Sequence, residues 1–303
     1  MNRKQHIGPI VVLISLLWAC SSKPTTDPTY VAEIEAWNAR RTESLRGPNG
    51  WLNLAGLFWL KDGINSFGSD SYSNLVFPSA LGIKEGGYFL LEKGIVTQSL
   101  LPGISIAVDG KAVTGMTVVF HPDSTRQPMM ENGSIRWFII KRDNKYGVRV
   151  RDLNHPNLAN FTGVERFPVD VSWKVVATWE ETPDRTLPIT NVLGQTTDQA
   201  APGRLTFTLE GEEFHLDALD EGDPDELFII FGDATNTIET YGAGRYLYVS
   251  RPDSAGQVVM DFNRAQNPPC AFTEFATCPL PPKQNVMGIR VLAGEKDYHA
   301  PPL

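Results

Sequence analysis

Apolar positions along the chain follow two periods. Tyr30, Ile34, Trp37, Arg41 and Leu45 recur at helical spacing, and the sequence Asp27-Pro28 ahead of them offers an N-cap and a proline suited to the first helical turn. Gly47 stands where a C-terminal cap falls, so the spacing predicts one amphipathic helix over residues 28–46, laid on the first sheet. The rest of the chain alternates with period two. Ile104, Ile106 and Val108 alternate, Asp109-Gly110 supplies a hairpin turn, and Ala112-Val113 begins the return. Residues 134–141 read as a strand, Asp143-Asn144 as a turn and residues 146–151 as the partner strand. Further strands are expected over residues 173–179, 204–209, 213–216, 226–231, 245–249, 258–262 and 288–292.

Many short strands separated by turn residues predict a mainly β protein of two sandwich-like or barrel-like units, preceded by the single helix. The lack of a second long helical pattern disfavours a parallel α/β sheet. The Pro/Asp/Ser stretch at residues 121–128 is the expected boundary. The helix and an N-terminal β unit then cover residues 29–122, and a C-terminal β unit covers residues 129–303.

The first twenty residues have a different character. Arg3 and Lys4 form a basic start, and residues 7–19 are apolar apart from Gly8, Pro9 and Ser15. That run is shorter than the roughly 20 residues a membrane span needs, and it fits a signal peptide over residues 1–19. Leu17-Trp18-Ala19-Cys20 resembles a bacterial lipobox, in which Cys20 is lipidated and becomes the new N-terminus; Trp18 is bulky for its place. Ser21 and Ser22 follow with no Asp beside the cysteine, which by resemblance to known lipoproteins implies the outer membrane. The bilayer is thus an expected partner, through a lipid anchor and a polar tether over residues 20–28, with the body facing the periplasm.

Composition changes this picture little. Hydrophobic residues make up 42% of the 303 and charged residues 20%, which is ordinary for a globular chain. Lys and Arg number 27 against 35 Asp and Glu, a charge of −8 that argues against nucleic acid as a partner. Cleavage after residue 19 removes Arg3, Lys4 and no acid, leaving 25 bases against 35 acids, or −10. There is no Gly-x-Ser-x-Gly elbow, no phosphate loop and no His-Glu-x-x-His helix. His121, His155, His215 and His299 are scattered, so no metal site is expected, and no cofactor is predicted.

Residues 261–282 (DFNRAQNPPCAFTEFATCPLPP) stand apart, with five prolines and two cysteines. Proline pre-orders such a loop, and long loops in compact domains are often functional. Cys270 and Cys278 admit three readings: a disulfide staple, two buried inert thiols, or a metal-binding or reactive pair. Tyr241-Gly242-Ala243-Gly244-Arg245 reads as a tight turn into a strand rather than a dinucleotide fingerprint.

The 261–282 segment resembles the signature of a bacterial family known as domain of unknown function 1684. Gly50-Trp51-Leu52-Asn53-Leu54, residues 63–68, Phe167-Pro168-Val169-Asp170, Asp233-Ala234-Thr235, residues 240–246 and Ala293-Gly294-Glu295 carry the same resemblance, which spans residues 35–298. It implies no activity, but it draws attention to Asp152, Asp233, Tyr241, Arg245, Asp261, Asn263, Asn267, Cys270, Cys278 and Glu295. Residues 63–78, with Gly68-Ser69-Asp70, also resemble the opening of a forkhead-associated β-sandwich. Ser69 replaces that family's phosphate-holding arginine and the Ser-x-x-His element is missing, so phosphopeptide binding is not implied.

Three functions follow. In a hydrolase or lyase, Asp233, Asp261 and Glu295 supply general acid and base, and Arg245 holds an anionic group of a small polar substrate. Asp152, Tyr241, Asn263 and Asn267 then serve as ligand-binding residues. A non-catalytic binding lipoprotein uses some of Trp37, Trp51, Trp59, Trp137, Trp173 and Trp179 as a stacking platform, against the alternative that they pack the core. An envelope-assembly protein needs an exposed apolar face.

Overall fold

The computed structural model describes residues 26–298, so the signal segment, Cys20 and His299 lie outside the described residues. Helix α1 (Pro28–Arg46) has the expected limits. The Asp27 carboxylate accepts the Thr29 N–H at 2.8 Å, and the Gly47 N–H closes the last turn on the Glu43 and Ser44 carbonyls at 2.9 and 3.3 Å.

Eleven strands follow: β1 (Leu54–Trp59), β2 (Gly63–Gly68), β3 (Leu75–Val76), β4 (Gly87–Glu92), β5 (Ile95–Leu100), β6 (Ile106–Val108), β7 (Lys111–Val113), β8 (Met116–Phe120), β9 (Met130–Asn132), β10 (Ile135–Arg142) and β11 (Lys145–Asp152). They form two sheets, ordered β3-β2-β4-β5-β8 and β1-β11-β10-β9-β6-β7. Alternate residues of each sheet meet in one core. Phe67 and Phe89 come from the first sheet, Trp137, Val148 and Val150 from the second. The buried Trp137 indole donates to Gln98 Oε1 at 3.2 Å, so its polar edge is satisfied inside the sandwich.

The boundary expected at residues 121–128 falls inside this sandwich. β11 pairs with β1 and β9 pairs with β6, so residues 130–152 complete the second sheet rather than opening a new unit. A turn-rich stretch is equally what a crossover between two sheets of one sandwich requires. The chain leaves the sandwich after β11 through α2 (Pro156–Asn160), a single turn capped by His155.

The C-terminal unit contains β12 (Lys174–Glu181), β13 (Thr186–Thr190), β14 (Thr196–Ala200), β15 (Gly203–Leu209), β16 (Glu212–Ala218), β17 (Glu226–Phe231), β18 (Arg245–Ser250) and β19 (Gln257–Asp261). A sheet ordered β16-β15-β12-β19 and the antiparallel pair β17-β18 enclose a core that includes Leu205, Phe207, Phe231, Met260 and Phe262, while the hairpin β13-β14 places Leu187 and Ile189 in a neighbouring core with Phe228 and Tyr246. The fold is mainly β, with several sheets and no closed barrel among the described residues.

Two local expectations are corrected. Residues 288–292 form no strand; their polar groups bond elsewhere, with the Val291 N–H on Asp233 and the Val291 carbonyl on Arg245. Helix α1 does not lie on the first sheet but against the C-terminal unit. Tyr30 and Arg41 on its inward stripe find their hydrogen-bond partners at Asp261, Asn267 and Glu295.

Candidate functional site

Arg245 opens β18 directly after the turn at residues 241–244, where the Gly244 N–H bonds the Tyr241 carbonyl at 3.2 Å. Gly244 has φ +86, and an added Cβ there would stand 2.6 Å from the Phe231 carbonyl oxygen, so glycine is required. The chain thus turns tightly and carries the Arg245 side chain inward. Its Nη2 reaches Asp233 Oδ2 at 2.7 Å and the Val291 carbonyl at 2.9 Å, and its Nη1 bonds the Ala293 carbonyl. Asp233 also accepts from the Thr235 N–H at 2.9 Å and the Thr235 hydroxyl at 2.6 Å. Burial lowers the Arg245 pKa, and the neighbouring Asp233 opposes that shift. Both side chains are fully buried, and this pair secures the path of residues 291–295.

Asp261 ends β19 and caps the turn Phe262–Arg264. Its Oδ1 accepts from the Tyr30 hydroxyl at 2.8 Å and from the backbone and side-chain nitrogens of Asn263, each at 3.1 Å. Asn263 Nδ2 also reaches the Asp170 carbonyl at 2.9 Å. Burial and the Asp261 carboxylate raise the Tyr30 pKa, which keeps the hydroxyl a donor.

Glu295 occupies the third position. Its Oε1 takes Arg41 Nε at 3.3 Å and Arg166 Nη1 at 3.4 Å, while its Oε2 takes the Asn267 N–H at 2.6 Å. Both arginines hold further carbonyls, Arg41 that of Asn267 at 3.0 Å and Arg166 that of Asn263 at 2.6 Å. Arg166 also stacks 5.3 Å from the Trp37 ring centroid. Each guanidinium has five N–H donors, of which these contacts occupy two. Both arginines line a cleft of about 440 Å³ between α1 and residues 163–169, whose polar lining is Glu35, Asn38, Arg41, Thr42, Arg166 and Glu295. A second cleft of about 350 Å³ lies across the helix, with Trp37 and Tyr248 as aromatic walls and Arg40, Arg41 and Arg264 among its lining.

The structure brings most of the residues singled out from the sequence into one connected network. Asp233, Arg245, Asp261, Asn263, Asn267 and Glu295 tie residues 233–295 to α1, but of the three acids only Glu295 lines the cleft. Asp152 stands apart at the end of the sandwich, accepting from the Ser134 hydroxyl at 2.7 Å and the Asn154 N–H at 2.9 Å. Tyr241 lies in the turn before β18 with its pKa raised by burial and by Asp297, and its carbonyl accepts from Asn236 Nδ2 at 3.0 Å. A disulfide joins Cys270 to Cys278. Trp137 and Trp173 belong to the two cores, and Trp37 alone of the six lines a cleft described above. Among the described residues no group of three His, Cys, Asp or Glu side chains is placed to hold a metal ion.

Tyr30, Arg41 and Arg166 complete the network and were not among the candidates. Arg41 carries a signal, an arginine inside the helix's apolar stripe. Arg166 carries none, because it sits in an irregular segment and its partners lie far along the chain.

Fold and network together define a mainly β protein whose C-terminal unit is clamped by an N-terminal helix. Residues 159–296 match the model of a family described as "Protein of unknown function (DUF1684)", so the resemblance is supported over the C-terminal unit. No curated protein matches the chain. Among solved structures the chain is similar to the solution NMR structure of the uncharacterized protein from gene locus rrnAC0354 of Haloarcula marismortui. Identity is 28% over 46% of this chain and 78% of that one, with a TM-score of 0.39.

Proposed function

We propose that this protein is an envelope lipoprotein that binds a small polar molecule with an anionic group in the cleft beneath α1. The carrying observation is the Arg41–Glu295–Arg166 cluster. One buried carboxylate, 1% exposed, holds two guanidinium groups side by side, and all three residues line the cleft. Such a fork recognises a carboxylate or phosphate. Glu35, Asn38 and Thr42 on the same wall suit hydroxyl or amino groups elsewhere on the ligand.

The geometry favours binding over hydrolase or lyase chemistry. General acid–base work needs a carboxyl group within reach of a substrate proton. Asp233 and Asp261 are engaged inside the protein, and Glu295 is occupied by three donors. The envelope location rests on the lipobox at Cys20, and a disulfide accords with an oxidising periplasm. Metabolic labelling with palmitate tests the anchor: label is expected on the wild type and absent from Cys20→Ala.

A thermal-shift panel of glutamate, succinate, citrate and galacturonate tests the cleft. At least one member is expected to raise the unfolding midpoint of the wild type more than that of Thr42→Trp, in which an indole occupies the cleft. Equal shifts in both proteins, or none in either, would overturn the reading.

A further inference from the structure

The outer face of the second sheet of the sandwich buries two cations without a counter-ion. Val148 and Val150 point into the core, so Arg149 and Arg151 on the same strand point away from it. The register sets Arg149 between Leu57 and Phe138, and Arg151 between Leu54 and Arg136. Arg136 has its own carboxylate, Glu131 at 3.3 Å. The other two have none among the described residues, although Arg149 is only 5% exposed and Arg151 only 6%.

Their direct contacts are with neutral groups. Arg151 Nη1 donates to the Gly50 carbonyl and, at 2.6 Å, to Asn53 Oδ1. Arg149 makes no hydrogen bond and no ion pair within the described residues; its guanidinium lies 5.9 Å from the Trp51 ring centroid. The Nε atoms of both are buried without a partner. Burial lowers both pKa values to about 10, so both side chains remain charged at neutral pH; the Arg142 and Arg151 charges add to the effect on Arg149.

Buried charges in proteins are ordinarily paired, because taking one out of water alone is costly. Two such charges side by side with aromatic and amide neighbours make a face suited to an oxyanion. Trp51 places it at the junction of the two units. The ring packs against two apolar clusters, one that includes Leu187, Ile189 and Tyr246 and one that includes Leu45, Leu52, Phe161 and Phe272.

We propose that Arg149 and Arg151 form a second binding site, separate from the cleft under α1, which takes the carboxylate or phosphate group of a small ligand where the sandwich meets the C-terminal unit. The anion pairs with the guanidinium groups and neutralises them. Its binding therefore stabilises the contact between the units.

The test compares the full chain in inorganic phosphate, in acetate and in chloride at equal ionic strength and pH. In the wild type, phosphate or acetate is expected to raise the unfolding midpoint saturably, by about 3–6 °C at a tenfold excess over Kd. A rise with phosphate alone assigns a phosphate group, and an equal rise with acetate assigns a carboxylate. Arg149→Met should remove the part of the rise that Thr42→Trp retains, and should unfold at a higher temperature than the wild type in chloride, because it removes the unpaired charge. Arg136→Met, which removes the paired arginine, should keep the rise. The proposal is overturned if neither anion exceeds chloride in the wild type, if Arg149→Met responds as the wild type does, or if Arg136→Met loses the response as fully. Should Arg149→Met fail to fold, Arg149→Lys serves, with at least a tenfold weaker saturation expected because an ammonium lacks the planar fork.

Discussion

Arg245 and Asp233 are wholly buried, and removing either leaves a charge or donor with nowhere to go. Asp233→Asn keeps the size of the side chain but strands the guanidinium, and the expected loss is about 3–5 kcal/mol in urea unfolding. A loss below about 1 kcal/mol would show that the pair has little structural weight. The sequence marks both residues as chemically significant yet not what they do. Arg245 is surrounded by the carbonyls of residues 291–295, and nothing within a few residues of it announces that those carbonyls return past it. His155 makes a residue-scale prediction about pH. Its Nδ1 accepts the Asn157 N–H at 3.2 Å, and burial lowers its pKa below the ordinary 6.5 against the opposing pull of Asp152. As pH falls below 6.5 the unfolded chain takes up the proton first, so stability is lost on acidification through the depressed folded-state pKa. Between pH 7 and pH 5 the wild-type midpoint should fall more than that of His155→Asn, which keeps a capping acceptor. Parallel pH profiles would refute this.

Helix α1 shows which features of an element are local. Its limits are legible because Asp27, Pro28 and Gly47 act on their immediate neighbours. Its docking face is not legible, because an apolar stripe meets any apolar surface and only the buried polar pairs discriminate. Tyr30 and Arg41 are those discriminators, and both point to the C-terminal unit. Tyr30→Phe should cost about 1–3 kcal/mol, since it leaves Asp261 short of a donor in a buried place. The loop held by the Cys270–Cys278 disulfide is a second such element. The spacing leaves its redox state open, whereas the folded chain brings the two Cα atoms to 6.1 Å. With the cysteines eight residues apart, replacing both by serine should cost about 2–3 kcal/mol through the freed unfolded chain. An unchanged denaturation curve would mean that the loop is held by packing alone. The expected strand at residues 288–292 fails for the complementary reason. An apolar alternation suffices for burial, but a ladder also needs a neighbouring strand, and here side chains of Asp233 and Arg245 take the backbone groups.

At the scale of the whole molecule, the mainly β class follows from period and turns, and the division into units does not. Residues 130–152 look like the start of a new unit because they follow a turn-rich stretch, yet they finish the first sandwich by pairing with strands more than twenty residues earlier. Strand pairing across such distances is decided by register and core shape, which a local reading does not contain. The same long-range assembly makes the cleft: α1 from the start of the chain, residues 163–169 from its middle and Glu295 from near its end. The function proposed for this cleft is tested most directly by native mass spectrometry of the full chain purified gently from the cells that make it. A small molecule is expected on the wild type and absent from Thr42→Trp. A wild type without any adduct, or an adduct retained equally by Thr42→Trp, would contradict a ligand held between Arg41 and Arg166.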